Sequence, residues 1–124
     1  MGTFPFEKLE VYEEALEYAA GIYRLTATFP AEERFALTSQ GRRAASSIPL
    51  NIAEGRGRGT DRDFVRFLFM ARGSVFETVT VLELATRFGY LQPSQRDRAK
   101  AQAFDLSSRL IALIKALTPR PLDP

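Results

Sequence analysis

The stretch TDRDFVRFLFMARGSVFETVTVLELATRFG, residues 60–89, places Phe64, Phe67, Ala71, Val75, Thr78, Leu82 and Ala85 at steps of three and four. That spacing puts them on one face of a helix with 3.6 residues per turn. Thr60 followed by Asp63 resembles a capping box, with Asp in place of the preferred Glu or Gln. Gly89 is the residue type that stops a helix in the left-handed conformation. The pattern predicts a helix over about 61–88, and three segments like it fill the rest of the chain. One spans about 6–29, with Leu9, Tyr12, Leu16, Ala19 and Tyr23 in register and Glu7, Glu10, Glu13, Glu14 and Glu17 near its start, where the helix dipole favours acids. The next spans about 32–55, carrying Phe35, Thr38, Ala45, Ile48 and Ile52, and Pro49 within it predicts a kink or break. The last, about 93–118, carries Ala99, Ala103, Leu106, Leu110, Leu113 and Leu117. No segment alternates apolar and polar residues as a strand would. Four helices of roughly 25 residues joined by short turns make an all-α, antiparallel up-and-down four-helix bundle, a single domain over 1–124. The tail from Arg120 to Pro124 is expected to fray.

Composition removes whole classes of function. The 124 residues include no Cys and no His. Thiol nucleophiles, disulfides, zinc ribbons and Ser-His-Asp or Cys-His hydrolase sites are therefore excluded. The longest run without a formal charge, Ala44 to Ala53, is too short to span a bilayer. Met1 to Phe6 has neither a basic region nor an apolar region of the secretory kind, and Phe6 stands where a myristoylation motif wants Ser or Thr. A soluble cytoplasmic protein, with no membrane partner, is the expectation.

Seventeen basic against fifteen acidic residues hide an asymmetry. Residues 1–33 hold seven acids (Glu7, Glu10, Glu13, Glu14, Glu17, Glu32, Glu33) against Lys8 and Arg24, a balance of −5. Residues 34–72 hold eight arginines (Arg34, Arg42, Arg43, Arg56, Arg58, Arg62, Arg66, Arg72) against Glu54, Asp61 and Asp63, a balance of +5. Three explanations fit: neighbouring helices neutralise each other within the chain; the acidic face of one subunit meets the basic face of the next in a head-to-tail oligomer; or the basic surface binds nucleic-acid phosphate. Arginine is suited to the last two, because its planar fork matches carboxylate and phosphate.

Several local constellations follow. If the second helix runs through Pro49, then Gln40, Arg43, Ser47, Asn51, Glu54 and Arg58 form a polar stripe on one face. It serves as a reading surface for RNA, as a seam between subunits, or simply as a solvated face. Ser47 and Glu54 have no histidine to activate them, so no catalytic residue is assigned. The carboxylate pairs Glu13/Glu17, Glu10/Glu14 and Asp61/Asp63 read as helix-surface acids, and no metal or cofactor is expected. Gly55-Arg56-Gly57-Arg58-Gly59 lacks the spacing of a nucleotide-binding glycine loop. It reads as a flexible turn, or as a phosphate contact made by Arg56, Arg58 and the amides that open the third helix.

Two blocks of residues carry a resemblance. The first is Phe29-Pro30-Ala31-Glu32-Glu33-Arg34-Phe35, Leu37-Thr38-Ser39-Gln40, Arg42-Arg43-Ala44-Ala45 and Ser47-Ile48-Pro49-Leu50-Asn51-Ile52-Ala53-Glu54-Gly55. The second is Phe64, Phe67-Leu68, Ala71-Arg72-Gly73-Ser74, Glu77 and Gly89-Tyr90. With Phe6-Glu7-Lys8-Leu9 and Val11-Tyr12, they resemble the four-helix-bundle proteins encoded in intervening sequences of bacterial large-subunit ribosomal RNA genes. The resemblance implies a ring-shaped homopentamer. It also implies kinship with the accessory variability protein of diversity-generating retroelements, which binds nucleic acid and a reverse transcriptase. Two positions depart from the family's pattern: Ala36 replaces a Gly, and Gly41 replaces a larger apolar residue. Gly41 predicts a locally looser second helix.

The expected function is a non-enzymatic homo-oligomer that binds RNA or DNA, or a ribonucleoprotein or reverse transcriptase. Arg42, Arg43, Arg56, Arg58, Arg62 and Arg66 would hold phosphate, with Gln40, Ser47, Asn51 and Glu54 as the polar stripe. The alternative is a structural or adaptor oligomer whose arginines are used between subunits.

Overall fold

The computed structural model describes residues 2–119. It contains four helices: α1 (Glu10–Thr26), α2 (Leu37–Arg56), α3 (Asp61–Arg87) and α4 (Pro93–Leu117). Consecutive helices pack side by side and α4 closes against α1, giving the all-α four-helix bundle expected from the periodicity. No strand occurs among the described residues. Arg120 to Pro124, where fraying was expected, lies outside them.

The core is built from the inward stripe of each helix. Val11, Ala15 and Ile22 of α1 meet Ala45, Ile48 and Ile52 of α2, Leu68, Ala71, Val75 and Leu82 of α3, and Ala103, Leu106 and Leu110 of α4. One polar pair is enclosed there. Thr78 Oγ1 donates to the Val75 carbonyl oxygen at 2.6 Å, so the Tyr18 hydroxyl donates to Thr78 Oγ1, at 2.7 Å. Burial pushes the Tyr18 phenol up to about 12, against the opposing pull of the Thr78 hydrogen bond.

Helix boundaries differ from the sequence expectation where local hydrogen bonding offers an alternative. Pro5–Lys8 form a separate 3-10 turn, so α1 begins at Glu10, not near Phe6. At its other end, α1 stops at Thr26, whose hydroxyl bonds back to the Ile22 carbonyl oxygen at 2.8 Å. Ala31–Glu33 form a second 3-10 turn, and α2 starts only at Leu37, whose N–H donates to Glu33 Oε1. Glu33 also accepts from the Tyr90 hydroxyl at 2.8 Å, tying the α1–α2 and α3–α4 connections together at one end of the bundle. That hydrogen bond to a carboxylate holds the Tyr90 proton more tightly than usual.

Pro49 does not break α2, which runs unbroken from Leu37 to Arg56. The ring is buried, and Ile48 and Ile52 anchor the helix on either side of the missing N–H. The helix ends at Arg56, within the glycine run and one residue beyond the expected bound, and Gly55 is a buried residue of its last turn. A Cβ there would fall 2.5 Å from Phe67 Cβ and 3.1 Å from Phe64 Cδ1, so this glycine sets how closely α2 and α3 approach. Gly41 likewise does not loosen α2. A Cβ on it would lie 3.1 Å from Val81 Cγ1 and 3.5 Å from Thr26 Cγ2, which leaves no slack at that crossing.

The turns behave as their chemistry requires. Thr60 Oγ1 accepts from the Asp63 N–H at 3.2 Å and caps α3, while Gly89, at φ +82°, reverses the chain after it. Gln92 opens α4, its N–H donating to Gln95 Oε1.

Candidate nucleic-acid interface

The end of α2, the four-residue turn Gly57–Thr60 and the start of α3 bring Arg56, Arg58, Arg62 and Arg66 to one corner of the bundle. All four are exposed. Phe67 lies beneath two of them, held against Gly55, with the guanidinium carbons of Arg58 and Arg66 each 4.9 Å from the centre of its ring. These cation–π contacts orient two of the arginines without burying their charge. Arg58 also pairs with Glu54 at 2.8 Å, and Arg66 with Asp63 at 3.9 Å. Arg56 and Arg62 make no ion pair among the described residues.

Arg42 and Arg43 stand elsewhere. Fourteen residues separate Arg42 from Arg56, about 21 Å along the helix axis. Arg42 lies over the Tyr23 ring at 4.8 Å and donates to Thr26 Oγ1 at 2.9 Å and to the Tyr23 carbonyl oxygen at 3.2 Å. Its guanidinium thus caps the end of α1 and faces that helix. Arg43 is exposed on the outer side of α2 and makes no ion pair among the described residues. The six arginines singled out in the sequence therefore resolve into a cluster of four, one exposed outlier and one clamp.

The polar stripe is also divided. Gln40 is exposed, and Glu54 holds Arg58. Ser47 Oγ hydrogen-bonds the Ala44 carbonyl oxygen and the Ser74 hydroxyl of α3, and Asn51 Nδ2 donates to the Ser47 carbonyl oxygen. Ser47 thereby joins α2 to α3 along the edge of the core, while Asn51 bonds back within α2. At the α3 N-terminus Thr60 Oγ1 takes the Asp63 N–H, and Asp61 and Asp63 place two acids at the positive end of the dipole.

Neutralisation between the acidic and basic blocks is absent among the described residues. In α1, Glu10 and Glu14 pair with Arg109 of α4, each at 3.0 Å. Glu7, Glu13 and Glu17 form no ion pair, and no arginine between residues 34 and 72 pairs with an acid of α1. On the α3–α4 side Asp97 pairs with Arg96, and Glu83 makes hydrogen bonds with Lys100 and Arg87 that hold its carboxyl below the usual range. No group of three or more potential metal ligands occurs among the described residues. None of their helices is long and apolar enough to cross a membrane.

The sequence reading passed over a second set of residues. Leu50, Phe69, Met70, Phe76 and Phe104 are exposed, Phe104 at 73%. Between α3 and α4 lies an open groove of about 500 Å³, lined chiefly by Arg72, Val75, Phe76, Val79, Lys100 and Phe104. Arg72 stacks over Phe76 at 4.6 Å. The signal was present in the helical wheel of α3, where Phe69 and Phe76 fall opposite the buried stripe.

The sequence pattern of the 23S rRNA-intervening sequence proteins matches residues 7–112. The chain belongs to that family. One solved structure it is similar to is a crystal structure from Bacteroides thetaiotaomicron, described as a protein of unknown function from the S23 ribosomal protein family. The two share 29% identity with a TM-score of 0.78, over 85% of this chain and 98% of the other. No curated protein matches the sequence. Within the 23S rRNA-intervening sequence family block, Pro49 and Gly55 now have physical roles, as a buried helix residue and as the point of closest α2–α3 approach.

Proposed function

We propose that this family member is a non-enzymatic, self-associating bundle that binds nucleic acid through the arginines of the α2–α3 corner. The observation that carries this reading is that, among the described residues, no acid of the 1–33 block pairs with an arginine of the 34–72 block. Arg56 and Arg62 and the more distant Arg43 are exposed and unpaired among the described residues, as are Glu7, Glu13 and Glu17 on the opposite block. Exposed arginines suit phosphate, RNA or DNA, whether free or carried by a ribonucleoprotein or reverse transcriptase. The absence of histidine and cysteine, and the use of Ser47 and Glu54 in local bonds, support a binding role over a catalytic one. The acids of α1 suit a second subunit, and a ring-shaped homopentamer is the assembly proposed.

Fluorescence anisotropy with labelled RNA tests the binding half. Each phosphate contact on a single strand contributes about −0.7 to the slope of log K against log salt. Arg56→Ala with Arg62→Ala should weaken binding and flatten that slope by about 1.4. An absent interaction at low salt, or an unchanged slope, contradicts the proposal. Light scattering tests the assembly: the expected mass is five times 13.9 kDa, and Glu13→Lys with Glu17→Lys should disperse it.

The apolar α3–α4 groove favours a second reading, an adaptor oligomer without a nucleic-acid role. An intact oligomer that binds no RNA, and that breaks on Phe76→Glu or Phe104→Glu, would establish it.

A further inference from the structure

We infer that the outer face of α3 is a stacking platform for single-stranded nucleic acid, on which Phe69 and Phe76 meet base faces while Arg62 and Arg66 hold the adjoining phosphates. This rests on the nucleic-acid reading above and names the form of the ligand.

Arg62, Arg66, Phe69, Gly73 and Phe76 follow one another at steps of four, three, four and three, so they share one stripe of the helix. It is the stripe opposite the buried one. Phe69 and Phe76 are each 48% exposed, although the inner face of the same helix already supplies Phe64 and Phe67 to the packing. The two exposed rings arise seven residues apart, about 10 Å along the axis. Gly73 lies between them, and a Cβ on it would meet nothing within 4 Å. The surface between the rings is therefore open and bare, and both arginines lie toward its N-terminal end.

Magnitudes decide the form of nucleic acid. Four arginines at the corner face Glu54, Asp61 and Asp63, and two of the four are already ion-paired. Two unpaired cations release counterions worth a salt slope of only about −1.4 on a single strand, and all four at most about −2.8. Phosphate attraction alone is therefore a weak source of affinity at this corner. Stacking on an aromatic ring supplies a further gain that does not depend on salt and is open to every base, since each has a π-face. A duplex cannot use it, because its base faces are already stacked on one another. A single strand presents both a charged backbone to Arg62 and Arg66 and free base faces to Phe69 and Phe76. The adjacent basic side chains set this face apart from a plain apolar patch, and they commit it to an anionic occupant.

The test is anisotropy with labelled oligo(U), oligo(A), oligo(dT) and a duplex, each of about 16 nucleotides or base pairs, against the full chain and its Phe69→Ala, Phe69→Tyr and Arg62→Ala/Arg66→Ala variants. Single strands should bind at least tenfold more tightly than the duplex, with oligo(A) above oligo(U), since purines stack more strongly. Phe69→Ala should weaken single-strand binding about tenfold and leave the salt slope and duplex binding unchanged. Phe69→Tyr, which keeps a stacking ring, should retain wild-type affinity. The arginine pair should weaken both ligands and flatten the slope. Comparison of oligo(dT) with oligo(U) reports whether the 2′-hydroxyl is read. Equal binding of duplex and single strand with no effect of Phe69→Ala would overturn the platform and leave phosphate binding standing. Dispersal of the oligomer by Phe69→Ala in native mass spectrometry would assign the face to a second copy and also overturn it. No binding of any probe would remove the nucleic-acid reading itself.

Discussion

The two faces of α3 have similar aromatic content and opposite fates. On the inner face, Phe64, Phe67, Leu68, Ala71, Val75 and Thr78 close against the other helices, and Leu68 is 0% exposed. On the outer face, Phe69, Met70 and Phe76 stay about half exposed beside Arg62 and Arg66. Glycine marks the same contrast: Gly55 is the point against which the inner face is set, whereas Gly73 on the outer face has open space around it. Folding accounts for the first set of aromatics and leaves the second without a partner. An apolar patch rimmed by charge signals an interaction surface.

The difference can be sharpened by substitution, beginning with the inner face. Leu68→Ala should cost about 3 kcal/mol, because it opens a cavity where nothing can relax into it. A urea melt followed by circular dichroism would measure the loss. Next comes the buried Tyr18–Thr78 pair. The phenol ionises near 10.0 in the unfolded chain and at about 12 in the bundle. The folded state thus holds the proton more tightly, so the Tyr18 contribution to stability is constant below pH 10 and is lost as pH rises from 10 toward 12. The fall due to Tyr18 should approach about 2 kcal/mol, and Tyr18→Phe should remove that part while leaving the separate fall that the raised Tyr90 phenol contributes. Melts at pH values on either side of that window decide the point.

Gly55→Ala should cost about 2 kcal/mol, since Phe67 or the helix axis must move to admit a methyl group. Gly73→Ala should instead stabilise the protein by about 1 kcal/mol, the usual helix-propensity gain at an unobstructed site. Smallest of all, Phe69→Ala should leave stability within about 0.5 kcal/mol of wild type, whatever it does to binding. Comparable losses at Phe69 and Leu68 would mean that the two faces do not differ as described.

The inner face was legible in the sequence because burial repeats with the helical period. The steps of three and four from Phe64 to Ala85 give α3 almost to the residue, and Thr60 and Gly89 mark its ends. Pro49 misled because local propensity argues for a break there, whereas tertiary packing holds it inside α2; the glycine run from Gly55 does end the helix, at Arg56. The 3-10 turns at Pro5–Lys8 and Ala31–Glu33 were hidden because a proline followed by acids is also how an α-helix opens. Of the candidate site, the basic block was visible as a count along the chain. Its partition was not, because the clamp at Arg42 depends on Thr26 and the carbonyl oxygen of Tyr23, across a turn. Phe69 and Phe76 are visible in the sequence on the side of α3 opposite its apolar stripe, but nothing in the periodicity says whether a neighbouring helix covers them. Only the exposure of their rings decides that.

Photo-crosslinking of the intact protein to oligo(U), followed by peptide mass spectrometry, tests the central claim most directly. Crosslinks concentrated between Arg56 and Phe76 are the predicted result. Crosslinks confined to α1 or α4, or none at all at low salt, would contradict a nucleic-acid surface on the α2–α3 corner.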